Sequence, residues 1–237
     1  KKTKQLLGAH YLQLLFIFDQ LFLTKTRIMK NLRPCLLFVL VFACINMATA
    51  QKSYNVSSPD GRLKATIEIT DKLAYTLSLD GKPLVTSSPV SMQLANGIIW
   101  GEKPVVSKNQ TRTVDTKLNP LYGKRLEIRD HFNELVLTFR GNYTLTARMY
   151  NEGFAYRFGN TRPGELIIKD ELASFNFAGD GTLWSSLAGS NSYEHSYENF
   201  YHVRPLSQMS DSLQYLPVLI QSGGVNVLIT EADLEDY

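Results

Sequence analysis

The chain has 237 residues, of which 25 are lysine or arginine and 22 are aspartate or glutamate, for a formal net charge of +3. The first 50 residues hold seven of the basic and one of the acidic residues, so residues 51–237 carry 18 basic and 21 acidic residues, a net charge of −3. This balance argues against nucleic acid as a partner, because nucleic-acid-binding domains are usually basic. Both cysteines, Cys35 and Cys44, also lie in the first 50 residues, so residues 51–237 must be stabilised by packing without disulfides.

The first 50 residues contain the pattern of an export signal. Met29 is the first methionine, and the basic residues Lys30 and Arg33 follow it closely. An apolar run from Leu36 to Ala43 comes next, and Ala48-Thr49-Ala50 then gives the small-x-small pattern that a signal peptidase cleaves. A run of about eight apolar residues is too short to cross a bilayer, which needs roughly 20.

We therefore expect residues 1–28 to be an upstream extension that is not part of the natural protein, and residues 29–50 to be a signal peptide cleaved before Gln51. This predicts an exported, periplasmic protein with no membrane span. Two alternatives remain open for the segment. It could be a lipoprotein signal acylated at Cys44, although the bulky Phe42 is unusual there, or a buried N-terminal helix.

Residues 51–237 alternate apolar and polar side chains with a period of two, which is typical of half-buried strands. Glycine-rich turns separate the runs, and Asp80-Gly81 is the strongest hairpin signal. No long apolar stripe with helical spacing occurs. The pattern predicts one all-β domain, a β-sandwich and not a βαβ fold. The alternating runs cover residues 63–70, 74–85, 135–140, 143–150, 154–159 and 225–231.

Common catalytic and cofactor motifs are absent from the sequence, including P-loop, dinucleotide-binding and zinc-protease patterns. Three other stretches have simple structural interpretations. Residues 57–63 predict a turn that enters a strand, and residues 124–135 predict a solvated edge with one or two ion pairs. Residues 148–158 predict a hairpin with a positive φ at Gly153. On a continuous strand Arg148 and Arg157 would lie on opposite faces, unless the hairpin changes this.

A fourth stretch, "SYEHSYENFYH" at residues 192–202, contains four aromatic rings, two carboxylates and two imidazoles. Strand alternation would place Glu194 and Glu198 on one face and most of the aromatic rings on the other. Aromatic faces beside oxygen ligands suit sugars or a hard cation. The residue pattern alone favours an aromatic core edge with exposed acids over such a site.

These four stretches, in this order, resemble the N-terminal domain of glycoside hydrolase family 97, a family of exported bacterial α-glycosidases. The strongest pieces are "SPDGRL", "IRDHFNEL", "R-x-YNEGFAYRF" and the terminal "TEADLEDY", and the similarity runs from about Tyr54 to Tyr237. The resemblance implies a large β-sandwich that is supersandwich-like and galactose-mutarotase-like. It also implies a central (β/α)₈ barrel and a small β domain downstream, so that residues 51–237 would be an N-terminal domain that is incomplete at its C-terminal end.

The resemblance places the catalytic carboxylates on the downstream barrel, so it implies no catalytic residue in this chain. It also implies that the N-terminal domain lends one glutamate to a calcium ion. The family pattern is a glutamate with tyrosine three residues later and Leu-Ser eight and nine residues later. Glu198 meets it with Tyr201, Leu206 and Ser207. Glu194 is the alternative. It has Tyr197 three residues later, but His202 and Val203 occupy the positions eight and nine residues later.

The implied full-length protein is a calcium-dependent hydrolase of terminal α-galactosides or α-glucosides. Its implied partners are an oligosaccharide or glycoside substrate and its own barrel domain. The sequence of residues 88–102 is more similar to the retaining α-galactosidase-like branch of this family than to its α-glucosidase branch. A different class also remains open, a stand-alone carbohydrate-binding β-sandwich without catalysis, and so does a purely structural β domain.

Overall fold

A computed structural model describes residues 52–188 and 199–232. These residues belong to one compact unit that spans residues 51–237. The predicted upstream extension at 1–28 and the predicted signal peptide at 29–50, including Cys44, lie outside the described residues. No α-helix occurs in the described part of the chain, which confirms the all-β prediction. None of the described residues forms a helix that could cross a bilayer.

The described residues form fourteen strands and one short 3₁₀ turn at Leu206–Gln208. The strands are β1 (Lys52–Ser57), β2 (Leu63–Ile69), β3 (Leu73–Leu79), β4 (Lys82–Leu94), β5 (Ile99–Trp100), β6 (Val106–Leu118), β7 (Ile128–Phe139), β8 (Tyr143–Met149), β9 (Phe154–Asn160), β10 (Ile168–Ala173), β11 (Thr182–Leu187), β12 (Tyr201–Pro205), β13 (Gln214–Ser222) and β14 (Val225–Ile229).

These strands form three antiparallel sheets. The first has the order β1-β2-β3-β4-β10, with the short β5 paired to β4, and the second has the order β6-β7-β8-β9. The third has the order β12-β11-β13-β14. Most neighbours are consecutive in the chain, as hairpin-connected antiparallel sheets require. The predicted β3–β4 hairpin is confirmed, since Asp80 and Gly81 have φ values of 51° and 77°, as a type I′ turn needs.

The first two sheets share one apolar core. In β8 every second residue is buried, from Tyr143 to Met149, and these side chains join the same buried cluster as residues of β2, β3 and β4. The Tyr143 ring stacks on both Phe139 and Trp100, with centroid distances of 4.6 and 5.2 Å. Each fully buried large side chain of this kind contributes roughly 1.5–3 kcal/mol.

Gly101 is required where the two sheets meet. Its backbone N–H donates to the hydroxyl of Tyr143 at 3.2 Å, and its φ is +97°. A Cβ at this position would lie 2.6 Å from the backbone oxygen of Val90. A larger residue would therefore strain the backbone and push Gly101 away from β4.

Strand β6 was not predicted, because nearly all of its side chains are exposed and polar on both faces. It forms because its backbone pairs with β7 from Val106↔Phe139 to Leu118↔Ile128, and such pairing depends on the neighbouring strand more than on local propensity. As a result, β7 lies between β6 and β8. The predicted sheet edge is therefore wrong for residues 133–135, whereas residues 128–132 pair with β6 alone and do form an edge.

The β8–β9 hairpin corrects one expectation and resolves the placement of two arginines that the sequence left open. Tyr150 N donates to Gly153 O at 2.8 Å, so Asn151 and Glu152 are the central residues of the turn. Gly153 takes the last position, which needs no positive φ, and it has none. Arg157 lies opposite Thr146 in the register. It therefore shares the face of Arg148, because the hairpin reverses the chain between the two arginines.

Residues 124–135 make more ion pairs than the one or two expected, since Glu127, Arg129 and Glu134 all take part, and Glu134 holds the most buried of them. Its side chain is 5% exposed and accepts hydrogen bonds from Arg112 on β6 and Arg148 on β8. The hydrogen bond from Arg112 is the main cause that lowers the pKa of Glu134 below its ordinary value of 4.5; burial opposes this and Arg148 adds to it. The Arg148 guanidinium also lies 4.5 Å from the centroid of the Phe132 ring, a favourable cation–π distance.

Replacing the buried carboxylate tests this three-strand contact. We expect Glu134→Gln to lower the free energy of unfolding of residues 51–237 by about 1–3 kcal/mol at neutral pH, because the neutral amide offers one acceptor oxygen to two arginines and no negative charge. Arg112 and Arg148 are 59% and 37% exposed, so water can solvate them and the loss stays below that of a fully buried unpaired charge. Urea unfolding measures the difference.

The effect depends on pH with a defined sign. Because the pKa of Glu134 is lowered on folding, its contribution is present above the unfolded pKa near 4.5 and is lost as the pH falls through the folded pKa. The difference between the two proteins should therefore shrink on acidification below about pH 4.5. Glu127→Gln is the matched control, since its exposed pair with Lys117 should change stability by less than about 1 kcal/mol. A pH-independent difference would contradict the assignment.

Candidate functional site

The two predicted calcium ligands, Glu198 and its alternative Glu194, lie outside the described residues. They belong to the connection between β11 and β12, which are neighbouring strands of the third sheet. The described residues on both sides of this connection therefore show how the chain enters and leaves it.

Asn199 closes the connection on its C-terminal side. Its side-chain Nδ2 donates to the backbone oxygen of Leu187 at 2.7 Å, and its backbone oxygen accepts from Ser186 Oγ at 3.2 Å. Its Oδ1 accepts from the backbone N–H of Phe200 at 2.8 Å. The last residues of β11 and the residue directly after Glu198 are thus joined by side-chain hydrogen bonds. This extends the β11–β12 pairing, which ends at Ser186↔Tyr201.

Asp180 fixes the other end of β12. Its Oδ1 accepts from the backbone N–H of Ser207 at 3.0 Å, and its Oδ2 accepts from Ser207 Oγ at 2.8 Å. Leu206 N also donates to Gly181 O at 2.7 Å. The backbone and hydroxyl hydrogen bonds from Ser207 hold the pKa of Asp180 below its ordinary value of 3.8. Ser207, which belongs to the pattern that selected Glu198, therefore anchors the end of β12.

One face of the third sheet carries an exposed apolar row. Directly opposite residues of antiparallel strands share a face, and the register aligns Trp184 with Val203, Trp184 with Leu219, and Leu219 with Leu228. Val203 and Leu228 are 60% and 58% exposed. On the opposite face, the central Leu183 and Ile220 are buried.

Tyr201, two residues before Val203 on β12, extends this face toward the β11–β12 connection, and Phe200 directly precedes it. Phe200 is 87% exposed and Tyr201 is 58% exposed. Flat apolar rings of this kind suit the C–H face of a sugar or the surface of another domain. The sequence had predicted the aromatic density of this stretch, and it missed Asp180 and Asn199, which anchor the two ends of β12 by hydrogen bonds.

The described residues do not assemble a metal site by themselves. Within residues 52–188 and 199–232, no group of three or more histidine, cysteine, aspartate or glutamate side chains is placed to hold an ion. Both carboxylate oxygens of Asp180 already accept hydrogen bonds. A calcium ion at this edge of the sheet would therefore need oxygens from the β11–β12 connection and from outside the described part of the chain.

Comparison with known proteins identifies relatives along nearly the whole described region. Residues 56–237 match the family described as "Glycosyl-hydrolase 97 N-terminal". The chain is 36% identical over 218 residues to a retaining alpha-galactosidase of Bacteroides thetaiotaomicron. That match covers 88% of this chain and 32% of the relative. The chain thus spans about a third of the length of this curated relative.

Solved structures with the same fold show the same partial coverage. A glycoside hydrolase family 97 enzyme from Pseudoalteromonas sp. strain K8, in complex with panose, has a TM-score of 0.67 at 24% identity over 78% of this chain and 29% of its own. A beta-arabinopyranosidase has a TM-score of 0.68 at 20% identity over 77% of this chain and 32% of its own. From its β-strand architecture and its match over residues 56–237, we conclude that the chain belongs to the glycosyl-hydrolase 97 N-terminal domain family.

Proposed function

We propose that this chain is the N-terminal domain of a longer α-glycosidase whose catalytic carboxylates lie in a downstream barrel domain. The observation that carries the proposal is the asymmetric coverage, which is 88% of this chain but 32% of the retaining alpha-galactosidase. In this reading the domain borders the substrate pocket and does not perform the chemistry itself.

The described carboxyl groups with a resolved pKa shift lack one property of a glycosidase general acid. The general acid of a glycosidase needs a raised pKa so that it is protonated near neutral pH. Each described carboxyl group with a resolved shift is shifted the other way, because a hydrogen-bond donor stabilises its charged form. These groups are Asp60, Asp80, Asp115, Glu134 and Asp180.

We further infer that the three sheets form the large supersandwich, galactose-mutarotase-like domain that the resemblance implies. The shared core of the first two sheets and the TM-scores of 0.67 and 0.68 support this. Two such sheets packed face to face give a broad, stiff platform. A platform of this kind could hold one edge of an active site on a neighbouring domain.

We propose terminal α-galactosides as the substrate class, with α-glucosides as the alternative. The 36% identity to a retaining alpha-galactosidase supports the preference for α-galactosides, as does the amino-acid sequence of residues 88–102. A retaining reaction needs two carboxyl groups about 5–5.5 Å apart on the catalytic domain. Export by a signal peptide at 29–50, into the periplasm or as a lipoprotein through Cys44, would give access to such extracellular glycosides.

We also propose that the longer protein binds calcium, with Glu198 as the ligand from this domain and Glu194 as the alternative. Calcium prefers six to eight oxygen ligands, and a carboxylate from a neighbouring domain can complete such a shell. When bound beside a glycosidic bond, calcium can orient a sugar hydroxyl and polarise the leaving group. The described residues would help to hold the ligand in position, since Asn199 and Asp180 anchor the two ends of β12, the strand that follows it.

A second function, a stand-alone carbohydrate-binding domain, has one specific observation in its favour. Phe200 and Tyr201 are exposed and follow Glu194 and Glu198 closely in the sequence, and aromatic surfaces often bind sugars without catalysis. The two functions differ in what residues 51–237 do alone. A stand-alone binding domain would bind galactosides or glucosides as an isolated protein, whereas a pocket-bordering domain should need its partner domain.

One prediction concerns the hydrolase activity of the isolated residues 51–237. We expect purified residues 51–237 to release no nitrophenol from nitrophenyl α-galactoside or α-glucoside above the buffer rate, because the general acid and the nucleophile are on another domain. The full-length protein is the control and should turn over at least one of the two. Turnover by the isolated residues would contradict the proposed location of the catalytic groups.

Another prediction concerns the calcium ligand in the full-length protein. We expect Glu198→Gln to raise the calcium concentration needed for half-maximal activity by about tenfold or more, since removing a charged oxygen ligand weakens calcium sites. Glu194→Gln is the matched variant on the same connection and should have a smaller effect. A larger effect of Glu194→Gln would reassign the ligand, and unchanged calcium titrations for both variants would refute a calcium role for this connection.

A further inference from the structure

Strands β6 and β7 continue beyond the rest of their sheet. Pairing of β7 with β8 stops at Asn133↔Met149, whereas pairing with β6 continues to Leu118↔Ile128. Five further residue pairs, at about 3.4 Å each, form a two-stranded ribbon of about 17 Å. We call this ribbon and its connecting loop, residues 114–132, the arm.

The two faces of the arm differ in polarity. Val114 lies opposite Phe132 and Leu118 lies opposite Ile128, so these four apolar side chains share a face, with Thr116 and Asp130 paired between them. The other face carries Asp115, whose two carboxylate oxygens accept from Arg129 at 2.7 and 2.8 Å. On the more apolar face Phe132 is buried at the base of the arm, whereas Leu118 and Ile128 are 51% and 41% exposed nearer its end.

The loop at the end of the arm exposes three large apolar side chains, which we call the tip. Leu121 is 100% exposed, Leu126 is 93% exposed and Tyr122 is 90% exposed. Single exposed apolar residues are common on protein surfaces, but a contiguous group on a projecting element indicates a contact site. Nothing in the described part of the chain covers the tip.

We propose that the arm docks onto the downstream domain of the same polypeptide, with the tip in an apolar depression of that domain. This inference rests on the proposed function, which supplies the downstream domain. About two thirds of the length of the retaining alpha-galactosidase relative lies outside the matched region. A downstream domain of that size, covalently attached to residues 51–237, is therefore the partner that we expect to contact the tip.

The size of the tip favours a tethered partner over a second copy of the chain. Three side chains of this kind expose on the order of 500 Å². A stable interface between separate chains buries roughly 800 Å² on each partner. Contacts between domains of one chain can be smaller, because the tether raises the effective concentration into roughly the millimolar range.

The charge of the loop indicates what the receiving surface should carry. Lys117 pairs with Glu127 at 2.9 Å and Arg129 pairs with Asp115. Lys124 and Arg125, which lie within the tip loop, make no ion pair among the described residues and leave two positive charges beside the apolar side chains. We expect the depression to have an apolar floor and an acidic rim, which would orient the arm as it docks.

Site-specific photo-cross-linking in the full-length protein tests the proposal. Benzoylphenylalanine replaces Tyr122, the protein is irradiated with and without vesicles of anionic phospholipid, and adducts are mapped by peptide mass spectrometry. We expect adducts that join the arm to residues beyond position 237 at the mass of a single chain. The same group at Ile98, a 52% exposed position in a turn of the first sheet, is the control and should give at least severalfold fewer.

Other adducts would overturn the proposal. Adducts between two chains would assign the tip to a dimer, adducts with phospholipid would assign it to a membrane surface, and reaction with solvent alone would leave it without a partner. As a second measurement, we expect Leu121→Ser combined with Leu126→Ser to reduce the adducts severalfold, whereas Ile98→Ser should leave them unchanged. Both tip positions are solvent-exposed in this domain, so its folding does not depend on them.

The hydrolase assay separates this proposal from the one on which it rests. Unirradiated, unsubstituted full-length protein is assayed with nitrophenyl α-galactoside and α-glucoside. Intramolecular adducts without hydrolysis would refute the proposed activity and support docking of the arm. Hydrolysis without intramolecular adducts would support the activity and refute the docking.

Discussion

The stacked contact of Tyr143 with Phe139 and Trp100 is the interaction on which the architecture depends. It joins β7 and β8 of the second sheet to β5 at the edge of the first, and the Tyr143 hydroxyl accepts from the backbone of Gly101. With no cysteine in residues 51–237, burial of such side chains must balance the conformational entropy of folding. The arm continues β6 and β7, and β7 contributes to this shared core, so the core also fixes the base of the arm.

The positions of the exposed surfaces suggest a domain built to work beside another. The third sheet has an apolar row across four strands and exposed aromatic residues next to the β11–β12 connection. The arm projects a second apolar surface from the second sheet. An isolated domain gains little from either feature, because exposed apolar area lowers solubility. Both surfaces become useful if a downstream domain carries the reaction.

Much of the fold could be predicted from the sequence, and the exceptions have physical causes. Strands β2, β8 and β9 alternate regularly because one face of each packs on the core, so the period of two is visible. Strand β6 could not be found in this way, since its partner β7 determines it and its own side chains are solvated. Asp180 and Ser207 are separated by 27 positions, so only the folded chain shows that they anchor β12. The assignment of Glu198 rests on the family resemblance, because alternation alone makes it equivalent to Glu194.

The central claim is that this domain is the first part of a larger α-glycosidase, and the coding sequence after Tyr237 tests it most directly. We expect sequencing of the genomic DNA to show an uninterrupted reading frame of several hundred codons. That frame should contain alternating strand and helix patterns, as a (β/α)₈ barrel requires, with carboxylates at the ends of its strands. A stop codon directly after Tyr237 would contradict the claim and would leave a stand-alone β domain.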